Sequence, residues 1–305
     1  MSSADVDLAL PAGYTCRPLD LPDAPAVFAV MAAQEQHDLG SVEIEEADIV
    51  GDWQRPSFDI PSRTVGVFAG EHLVGYAEFS DPDRGDAAVH PDHRGLGIGT
   101  ELAAWMRCTA RAAGASVVGM PVPQGGPGDR LLAALGYRVR WTSWVLQLPA
   151  GREIVPQPLP EGYAVREALP EEYPVAHEVI EDAFLEWSER PRQSWDDFAA
   201  TVTRRPGFES WNLRVVTDPD GVVVGVSHVV NAETTGYVSR LAVRSDQRHR
   251  GLARALLVDS FAVSREHGAT VSELSTDSRT GALPLYEKVG MEVTSVWLNR
   301  AADLA

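Results

Sequence analysis

Two short segments of this 305-residue chain have the composition of an anion-binding loop. Residues 94–99 read R-G-L-G-I-G and residues 248–253 read R-H-R-G-L-A, so both fit the pattern R-x-x-G-x-(G/A). Each segment follows a short apolar stretch that ends in valine, Val89 or Val243, and each opens a stretch with a helical pattern. Because the first N–H groups of a helix lack intrahelical partners and attract anions, both segments predict a site for a pyrophosphate-bearing cofactor.

The two loops belong to a longer internal repeat. The spacing between their arginines is 248 − 94 = 154 residues. Three further landmarks recur in the same order, namely residues 14–17 with 163–166, 73–76 with 223–226, and 136–137 with 290–291. A period this long indicates a duplicated domain, since solenoid repeats are about 20–50 residues long.

The composition fits two globular domains and narrows the possible partners. Hydrophobic residues make up 44% of the chain, which is enough for a core in each half. The formal net charge is −18, and the pI is about 4.8. Nucleic acids reward clustered Lys and Arg, so we expect no nucleic-acid partner. The acidity suits a cationic substrate such as an amine, and it equally suits plain solvation of the surface.

The cysteines and the apolar stretches exclude other classes of protein. The chain has two cysteines, Cys16 and Cys108, and no C-x-x-C pair, so no metal site is predicted. The N-terminal residues lack the basic and apolar regions of a signal peptide. No apolar stretch approaches the roughly 18–20 residues that cross a membrane, and we expect a cytoplasmic protein without a membrane partner.

Both halves share one predicted order of secondary structure. In the first half we predict strands at 13–18, 64–68, 73–79, 86–89, 116–120 and 139–148, and helices at 23–36, 45–52, 97–113 and 129–135. In the second half we predict strands at 163–166, 213–216, 222–229, 237–243, 270–274 and 292–298, and helices at 171–187, 194–203, 251–267 and 280–289. This order predicts an α/β fold with a mixed (α+β), mostly antiparallel sheet flanked by helices, and it differs from the alternating Rossmann pattern.

A proline-rich segment separates the predicted domains. Residues 149–162 contain four prolines and two glycines, a composition typical of a semi-rigid linker. We therefore predict an N-terminal domain at 1–149, a linker at 150–161 and a C-terminal domain at 162–305.

The loop pattern and its setting in both halves resemble the GCN5-related N-acetyltransferase (GNAT) superfamily. The resemblance implies two tandem GNAT domains that cover nearly the whole chain, with acetyl-CoA as the cofactor and no metal. It implies that the strand before each loop binds the pantetheine arm and that the loop holds the pyrophosphate. In the second half the implied residues are Leu241, Ala242, Val243, Arg248, His249, Arg250, Gly251, Leu252, Ala253 and Arg254. In the first half they are Ala87, Ala88, Val89, Arg94, Gly95, Leu96, Gly97, Ile98, Gly99 and Thr100.

A second motif is similar to the family's A-x-x-L-Y-E-x-x-G-(F/M) signature. It covers residues 282–291 and contains Tyr286, which the resemblance implies is the general acid for the departing thiolate. A phenol suits this role because its pKa, about 10, is close to that of a thiol. The repeat places Leu132 opposite Tyr286, and leucine cannot donate a proton. We therefore expect catalysis in the C-terminal domain and a catalytically degenerate N-terminal domain.

The general base is left open by the sequence. Many members of the family carry a glutamate early on the strand that leads into the loop, and that position is Tyr237 here. Glu233, just upstream, and His228, on the preceding strand, are the two candidates, and a water relay is an alternative.

The resemblance implies transfer of acetyl from acetyl-CoA to a primary amine of a small molecule. The alternatives are a non-catalytic CoA-binding sensor or structural module, and an acyltransferase for a longer acyl-CoA or for a protein amine. The sequence leaves open whether the chain is a monomer or a homodimer.

Overall fold

The computed structural model describes residues 8–80, 82–149, 151–152, 155–156 and 158–304. The chain forms two compact units. The N-terminal unit contains residues 1–142 together with 297–305, and the C-terminal unit contains residues 143–296. In each unit, helices cover both faces of a mixed sheet region, which confirms the predicted α/β fold with a mixed sheet.

The sheet of the N-terminal unit has the strand order β1-β2-β3-β4-β5-β12. Its strands are β1 (Tyr14–Arg17), β2 (Thr64–Ala69), β3 (His72–Ser80), β4 (Arg84–Val89), β5 (Val117–Pro123) and the Trp297–Asp303 part of β12 (Glu292–Asp303). Its helices are α1 (Ala24–Asp38), α2 (Glu46–Trp53), α3 (Ile60–Arg63), α4 (Ile98–Ala112) and α5 (Pro127–Ala134). Neighbouring strands are antiparallel, except that β4 and β5 run parallel.

The two faces of this sheet bury separate apolar clusters. One cluster joins the sheet to α4 and contains Phe79, Leu102 and Met106. The other joins it to α1 and α2 and contains Val27 and Trp53. Complete burial of one large apolar side chain contributes about 2–3 kcal/mol, so both helical layers are held mainly by this packing.

The sheet of the C-terminal unit has the strand order β6-β11-β10-β9-β8-β7. Its strands are the Ser143–Leu148 part of β6 (Arg138–Leu148), β7 (Ala164–Glu167), β8 (Leu213–Thr217), β9 (Val223–Ala232), β10 (Thr235–Val243) and β11 (Val271–Asp277). Its helices are α6 (Tyr173–Phe184), α7 (Trp195–Thr201), α8 (Leu252–Glu266) and α9 (Leu283–Lys288). The pair β10–β11 is parallel, and the other neighbours are antiparallel.

Apolar clusters again cover both faces of this second sheet. Helices α6 and α7 pack on one face through residues such as Ile180 and Phe198. Helices α8 and α9 pack on the other through Leu257, Phe261 and Tyr286. The same layering in both units is the structural counterpart of the sequence repeat.

In each unit, one strand comes from the other half of the chain. Residues Trp297–Asp303, from the end of the chain, pair with β5 in the N-terminal unit. Residues Ser143–Leu148, from the end of the first half, pair with β11 in the C-terminal unit. The compact units thus exchange a strand, whereas the predicted domains 1–149 and 162–305 follow chain order, and that division stays a prediction. Four positions of the predicted linker, 150, 153, 154 and 157, lie outside the described residues.

Some strands are longer than their sequence pattern predicts. Strands β9 and β10 extend to a tight turn at Glu233 and Thr234, because their polar residues continue the hairpin ladder past the apolar run. Strand β12 continues five residues past the predicted end at Leu298, since it pairs with β5 along its second part. Within the described part of the chain, every helix is too short or too polar to cross a membrane.

Candidate active site

Both glycine loops end in a left-handed residue that starts a helix. Gly97 precedes α4 with a φ of 88°, and Gly251 precedes α8 with a φ of 83°. This backbone conformation is readily accessible to glycine and costs other residues about 1 kcal/mol or more. It turns the chain directly from the strand into the helix, so the first N–H groups of α4 and α8 face outward at the loop, where an anion is stabilised.

The loop of the C-terminal unit contains a second left-handed residue that is not glycine. His249 has a φ of 64°, whereas the equivalent position of the N-terminal loop is Gly95, with a φ of 76°. Histidine is among the residues that tolerate this region best, but it is still strained there. The C-terminal loop therefore keeps an exposed imidazole at a position where the backbone alone favours glycine.

The arginine at the start of each loop forms hydrogen bonds that hold the loop in place within its own unit. Arg94 donates from Nε to the Val89 carbonyl (3.3 Å) and forms two hydrogen bonds with Asp38 (2.7 and 2.9 Å). Arg248 donates from Nε to the Val243 carbonyl (3.2 Å) and forms two with Glu186 (2.6 and 2.8 Å). Such bidentate pairs fix geometry, so these guanidinium groups brace the loop in both units.

The cationic groups at the N-terminus of α8 lie beyond this brace. Arg250 donates to the Tyr163 hydroxyl (3.3 Å), and Arg254 donates from Nη2 to the Val155 carbonyl (2.9 Å). The Nε of Arg254 is buried and has no hydrogen-bond partner among the described residues. An unsatisfied buried N–H of a guanidinium fits an anionic group that docks at this helix end.

The strand that leads into each loop separates from its parallel neighbour. In the C-terminal unit the pairing of β10 with β11 ends at Val238–Leu274, and β10 has a bulge between Val238 and Arg240. Residues 241–243 of β10 lie beyond this point, which leaves a slot between the strands. In the N-terminal unit β4 pairs with β5 only at Arg84–Gly119, and its ladder with β3 is regular.

The two slots differ in whether a side chain of the protein already bonds to the strand that lines the slot. The Val89 N–H donates to the side chain of Gln34 on α1 (3.2 Å). No side chain among the described residues accepts the equivalent Val243 N–H. The first turn of α4 also carries an acid, Glu101, which accepts a hydrogen bond from the Ala9 N–H (3.0 Å). A diphosphate is therefore favoured at α8, whose first turn has no acid, and disfavoured at α4.

Tyr286 lies on α9 in the apolar cluster of the C-terminal unit. Its side chain is 7% exposed, and its hydroxyl forms no hydrogen bond within the described parts of the chain. Burial, together with the neighbouring Tyr237, raises the pKa of Tyr286 to about 12. The phenol is thus fully protonated at neutral pH. In the N-terminal unit the equivalent residue, Leu132, is 4% exposed and belongs to the core.

Glu233 lies away from the slot, and His228 lies beside the bulge in an enclosed position. Glu233 is exposed in the β9–β10 turn with a φ of 48°, and five residues of strand, about 16 Å, separate it from Val238. His228 is 2% exposed, and its Nδ1 lies 2.7 Å from the hydroxyl of Ser239 at the bulge. Burial, with Arg240 and Arg205, lowers the pKa of His228 well below its usual value. A neutral, enclosed imidazole of this kind supports the bulge and is poorly placed to receive a proton from a substrate.

A different carboxyl group lies where β10 and β11 separate. Glu273 on β11 is in register with Tyr237, is 7% exposed, and accepts a hydrogen bond from Gln147 (2.7 Å). Burial raises the pKa of Glu273, and the bond from Gln147 opposes the rise. The Tyr237 hydroxyl lies 2.7 Å from the hydroxyl of Ser275, two residues further along β11. Sequence reasoning missed Glu273, although an acid inside a short buried strand was a usable signal.

The described residues hold no cluster of three or more His, Cys, Asp and Glu side chains arranged to bind a metal ion. The groups described at this site are backbone amides, guanidinium groups, a phenol and a carboxyl group.

Comparisons with known proteins bear on this geometry. The family model described as "Acetyltransferase (GNAT) family" matches residues 29–124 and 164–291. The chain is similar to a mycothiol acetyltransferase of Salinispora arenicola, with 31% identity over 251 residues that cover 74% of this chain and 77% of the relative.

Two solved structures share the architecture. A GCN5-related N-acetyltransferase from Sphaerobacter thermophilus has a TM-score of 0.73 and 25% identity, and the match covers 97% of each chain. A tandem GNAT protein from the clavulanic acid biosynthesis pathway has a TM-score of 0.68 and 17% identity, with 96% of this chain and 99% of that chain covered. At that identity the second structure is a likeness of fold.

The position of His228 predicts a dependence of stability on pH. Its folded-state pKa lies below the unfolded value of about 6.5, so stability is present above that pH and is lost as pH falls below it. His228→Gln keeps a polar group next to Ser239 but binds no proton. We expect this variant to lose less stability than the wild type between pH 6.5 and 5, by about 1 kcal/mol per pH unit. Urea unfolding across this range measures the difference.

His72→Gln, exposed on the β2–β3 hairpin, is the matched control. A His228→Gln protein with the wild-type pH slope would contradict the enclosed, neutral imidazole.

Proposed function

Since this chain belongs to the GNAT family of acetyltransferases, we propose that it transfers an acetyl group from acetyl-CoA to a primary amine of a small molecule. We assign the reaction to the C-terminal unit and regard the N-terminal unit as catalytically degenerate. The observation that carries the proposal is the combination, in one unit, of an open strand slot, an acid-free helix N-terminus and a buried phenol. The N-terminal unit has none of these three features in the same form.

The cofactor fits residues that the C-terminal unit leaves available. The amides of Gly251, Leu252 and Ala253 start α8, and the side chains of Arg250 and Arg254 add positive charge beside them. The unsatisfied Nε of Arg254 supports an anion at this position. Leu252 is 2% exposed, so it contributes its backbone amide and not its side chain. Arg248 acts through its brace to Glu186, which holds the loop in shape.

The strand slot suits the arm of the cofactor. Beyond the bulge, residues 241–243 run beside no paired β11 neighbour, and their backbone groups suit the amide-rich pantetheine chain. Bound acetyl-CoA supplies a thioester carbon that an amine attacks and a thiolate that departs. The protein's part is to position the two reactants and to move two protons.

Tyr286 and Glu273 are the proposed proton-transfer groups. The phenol of Tyr286 stays protonated and donates to the departing sulfur. Glu273, whose pKa is raised, accepts the proton that the amine releases, directly or through a water molecule next to Tyr237. A base works best when its pKa approaches the working pH, so the raised value favours this role. Glu233 and His228, the candidates from the sequence, have no part in this proposal.

Paired loop variants test which unit binds the cofactor. Gly251→Ala and Gly97→Ala each place a Cβ on a left-handed residue, and we expect each to lower the free energy of unfolding by about 1 kcal/mol. Only Gly251→Ala should weaken CoA binding, by tenfold or more, because it disturbs the occupied loop. Calorimetry should give one CoA per chain. Two equal sites, or a loss of affinity in the Gly97 variant alone, would contradict the assignment.

Tyr286→Phe tests the acid. The apolar surroundings of the ring tolerate phenylalanine, so the fold should be retained. We expect kcat to fall by about 10²-fold or more while the Kd for acetyl-CoA stays within twofold. Because the pKa is about 12, the wild-type rate should not fall through ionisation of Tyr286 below about pH 11. The assay includes the acceptor of the mycothiol acetyltransferases among the amines, and acyl-CoA thioesters of increasing length as alternative donors. An unchanged kcat in the phenylalanine variant would remove Tyr286 from the mechanism.

Glu273→Gln tests the base. The amide can still pair with Gln147, so the strand contacts are preserved. We expect a kcat at neutral pH about 10²-fold lower and the loss of the acidic limb of the pH–rate profile. Glu266→Gln, exposed near the end of α8, has the same change in charge and should behave as the wild type. A variant that keeps the acidic limb would show that another group takes the proton.

A further inference from the structure

Polar side chains form a row across the sheet of the N-terminal unit. Glu78 on β3 is in register with Asp86 on β4. Asp86 lies two residues beyond Arg84, where the pairing of β4 with β5 ends, and the equivalent step along β5 leads to Pro121. Pro121 is in register with Asn299 on β12. Glu78 and Asp86 are therefore cross-strand neighbours, and Asn299 lies on the far side of the separation between β4 and β5.

The three side chains face the same layer of helices. Glu78 accepts a hydrogen bond from the indole N–H of Trp53 on α2 (2.8 Å). Arg300, next to Asn299, forms an ion pair with Asp129 on α5, on the opposite side of the sheet. Since neighbouring residues of a strand point to opposite faces, Asn299 faces the side of α1 and α2.

The two carboxyl groups are only partly neutralised. Glu78 is 9% exposed, and neither Glu78 nor Asp86 forms an ion pair with any residue in the described ranges. Asp52 adds negative charge near both, and the charge of Arg84 partly offsets that of Asp86. Burial and the charges of Asp86 and Asp52 raise the pKa of Glu78 to about 7, and burial raises that of Asp86. Like charges in a desolvated place are costly unless a proton or a cation joins them.

Asn299 supplies an independent sign of a ligand. Its side chain is 7% exposed, and its Oδ1 has no hydrogen-bond partner among the residues that the structure describes. In the sheet order it lies two strands from β4, with β5 between them. An unsatisfied buried carbonyl on the same face as Glu78 suits a second donor on the same ligand.

The acidic pair is not a requirement of the fold. The repeat aligns Glu78 with His228 (228 − 78 = 150) and Asp86 with Arg240 (240 − 86 = 154), and His228 and Arg240 are also in register. The C-terminal unit thus has one neutral and one cationic side chain where the N-terminal unit has two acids. The same sheet is stable with either set.

We propose that the N-terminal unit binds a small aliphatic cation, with a primary ammonium group between Glu78 and Asp86 and a second N–H or O–H donor on Asn299. An ammonium group has three N–H donors for the carboxyl oxygens, and its positive charge offsets part of their negative charge. Gln34 on the Val89 N–H and Glu101 on α4 disfavour a cofactor in this unit, so the cation is bound there without being acetylated.

The indole of Trp53 provides a direct readout of this site in the full-length protein. Its N–H bonds to Glu78, so its NMR cross-peak, identified with Trp53→Phe, should report occupancy. We expect a saturable shift with 1,4-diaminobutane and none with 1,4-butanediol at the same pH and ionic strength. A shift with the diol, or no saturable shift with the diamine, would overturn the proposal.

Variants test whether the shift of the Trp53 cross-peak arises from binding at Glu78, Asp86 and Asn299. Glu78→Gln and Asp86→Asn should each weaken diaminobutane binding at least tenfold. If one fails to fold, the other decides. Asn299→Leu should weaken diaminobutane several-fold but leave butylamine unchanged, because butylamine lacks the second donor. Glu71→Gln, exposed at the far end of β3, is the control with the same change in charge. Wild-type affinity in both acid variants would place the amine elsewhere.

The site is separable from the acetyl-transfer reaction. Tyr286→Phe should leave the Trp53 shift unchanged even where turnover is lost. Glu78→Gln should leave turnover of the C-terminal unit unchanged. Loss of the shift in Tyr286→Phe would mean that the amine site of the C-terminal unit had been observed, which would also overturn the proposal.

Discussion

The separation of β10 from β11 after Val238 is the constraint on which the C-terminal unit depends. Up to Val238 the parallel ladder with β11 pairs the backbone N–H and C=O groups of β10. Beyond Val238 the bulge turns β10 away from β11. The backbone groups of residues 241–243 that point away from β9 then need other partners, because unpaired polar groups are costly inside a protein. The same strand continues through the braced loop into α8, so slot and helix terminus form one continuous binding surface. A shift of the bulge by one residue would displace both together.

The two units show how far a duplicated backbone can diverge in its chemistry. Both have the arginine brace, the left-handed cap and a tyrosine, at or just before the start of the first strand, that bonds to the residue before the loop arginine. These contacts fix main-chain geometry, and they are the ones that both copies retain. The differences lie in side chains that face the slot and the sheet surface: Gln34, Glu78, Asp86, Glu101 and Leu132 in the first copy, and His228, Arg240 and Tyr286 in the second. Fold and function are thus separable within one chain.

The features that the sequence predicts correctly are local. Glycine at a positive φ, the helical period and the alternation of strand residues are all visible in consecutive residues. The sequence therefore predicts the loops, the sheet type and the GNAT resemblance. The exchanged strands leave no such trace, because the partner of β6 or β12 is chosen by contacts far along the chain. The distance of Glu233 from the slot could not be predicted for a related reason: polar residues at the ends of β9 and β10 have the pattern of a loop but continue the ladder. The carboxyl partners of Arg94 and Arg248 lie about 60 residues away and carry no signal of their own.

The electrostatics of the C-terminal unit favour the neutral form of an amine. Arg240 follows the bulge and lies near His228, which burial keeps uncharged. A positive charge near an ammonium group lowers the pKa of that group, so the reactive neutral amine becomes more abundant at the same pH. The net charge of −18 acts over longer distances and attracts cations towards the protein, an effect that salt screens beyond about 10 Å. In the proposed scheme, a cationic amine is drawn to the acidic surface, binds as a cation between Glu78 and Asp86, and loses its proton only near Arg240 and Glu273.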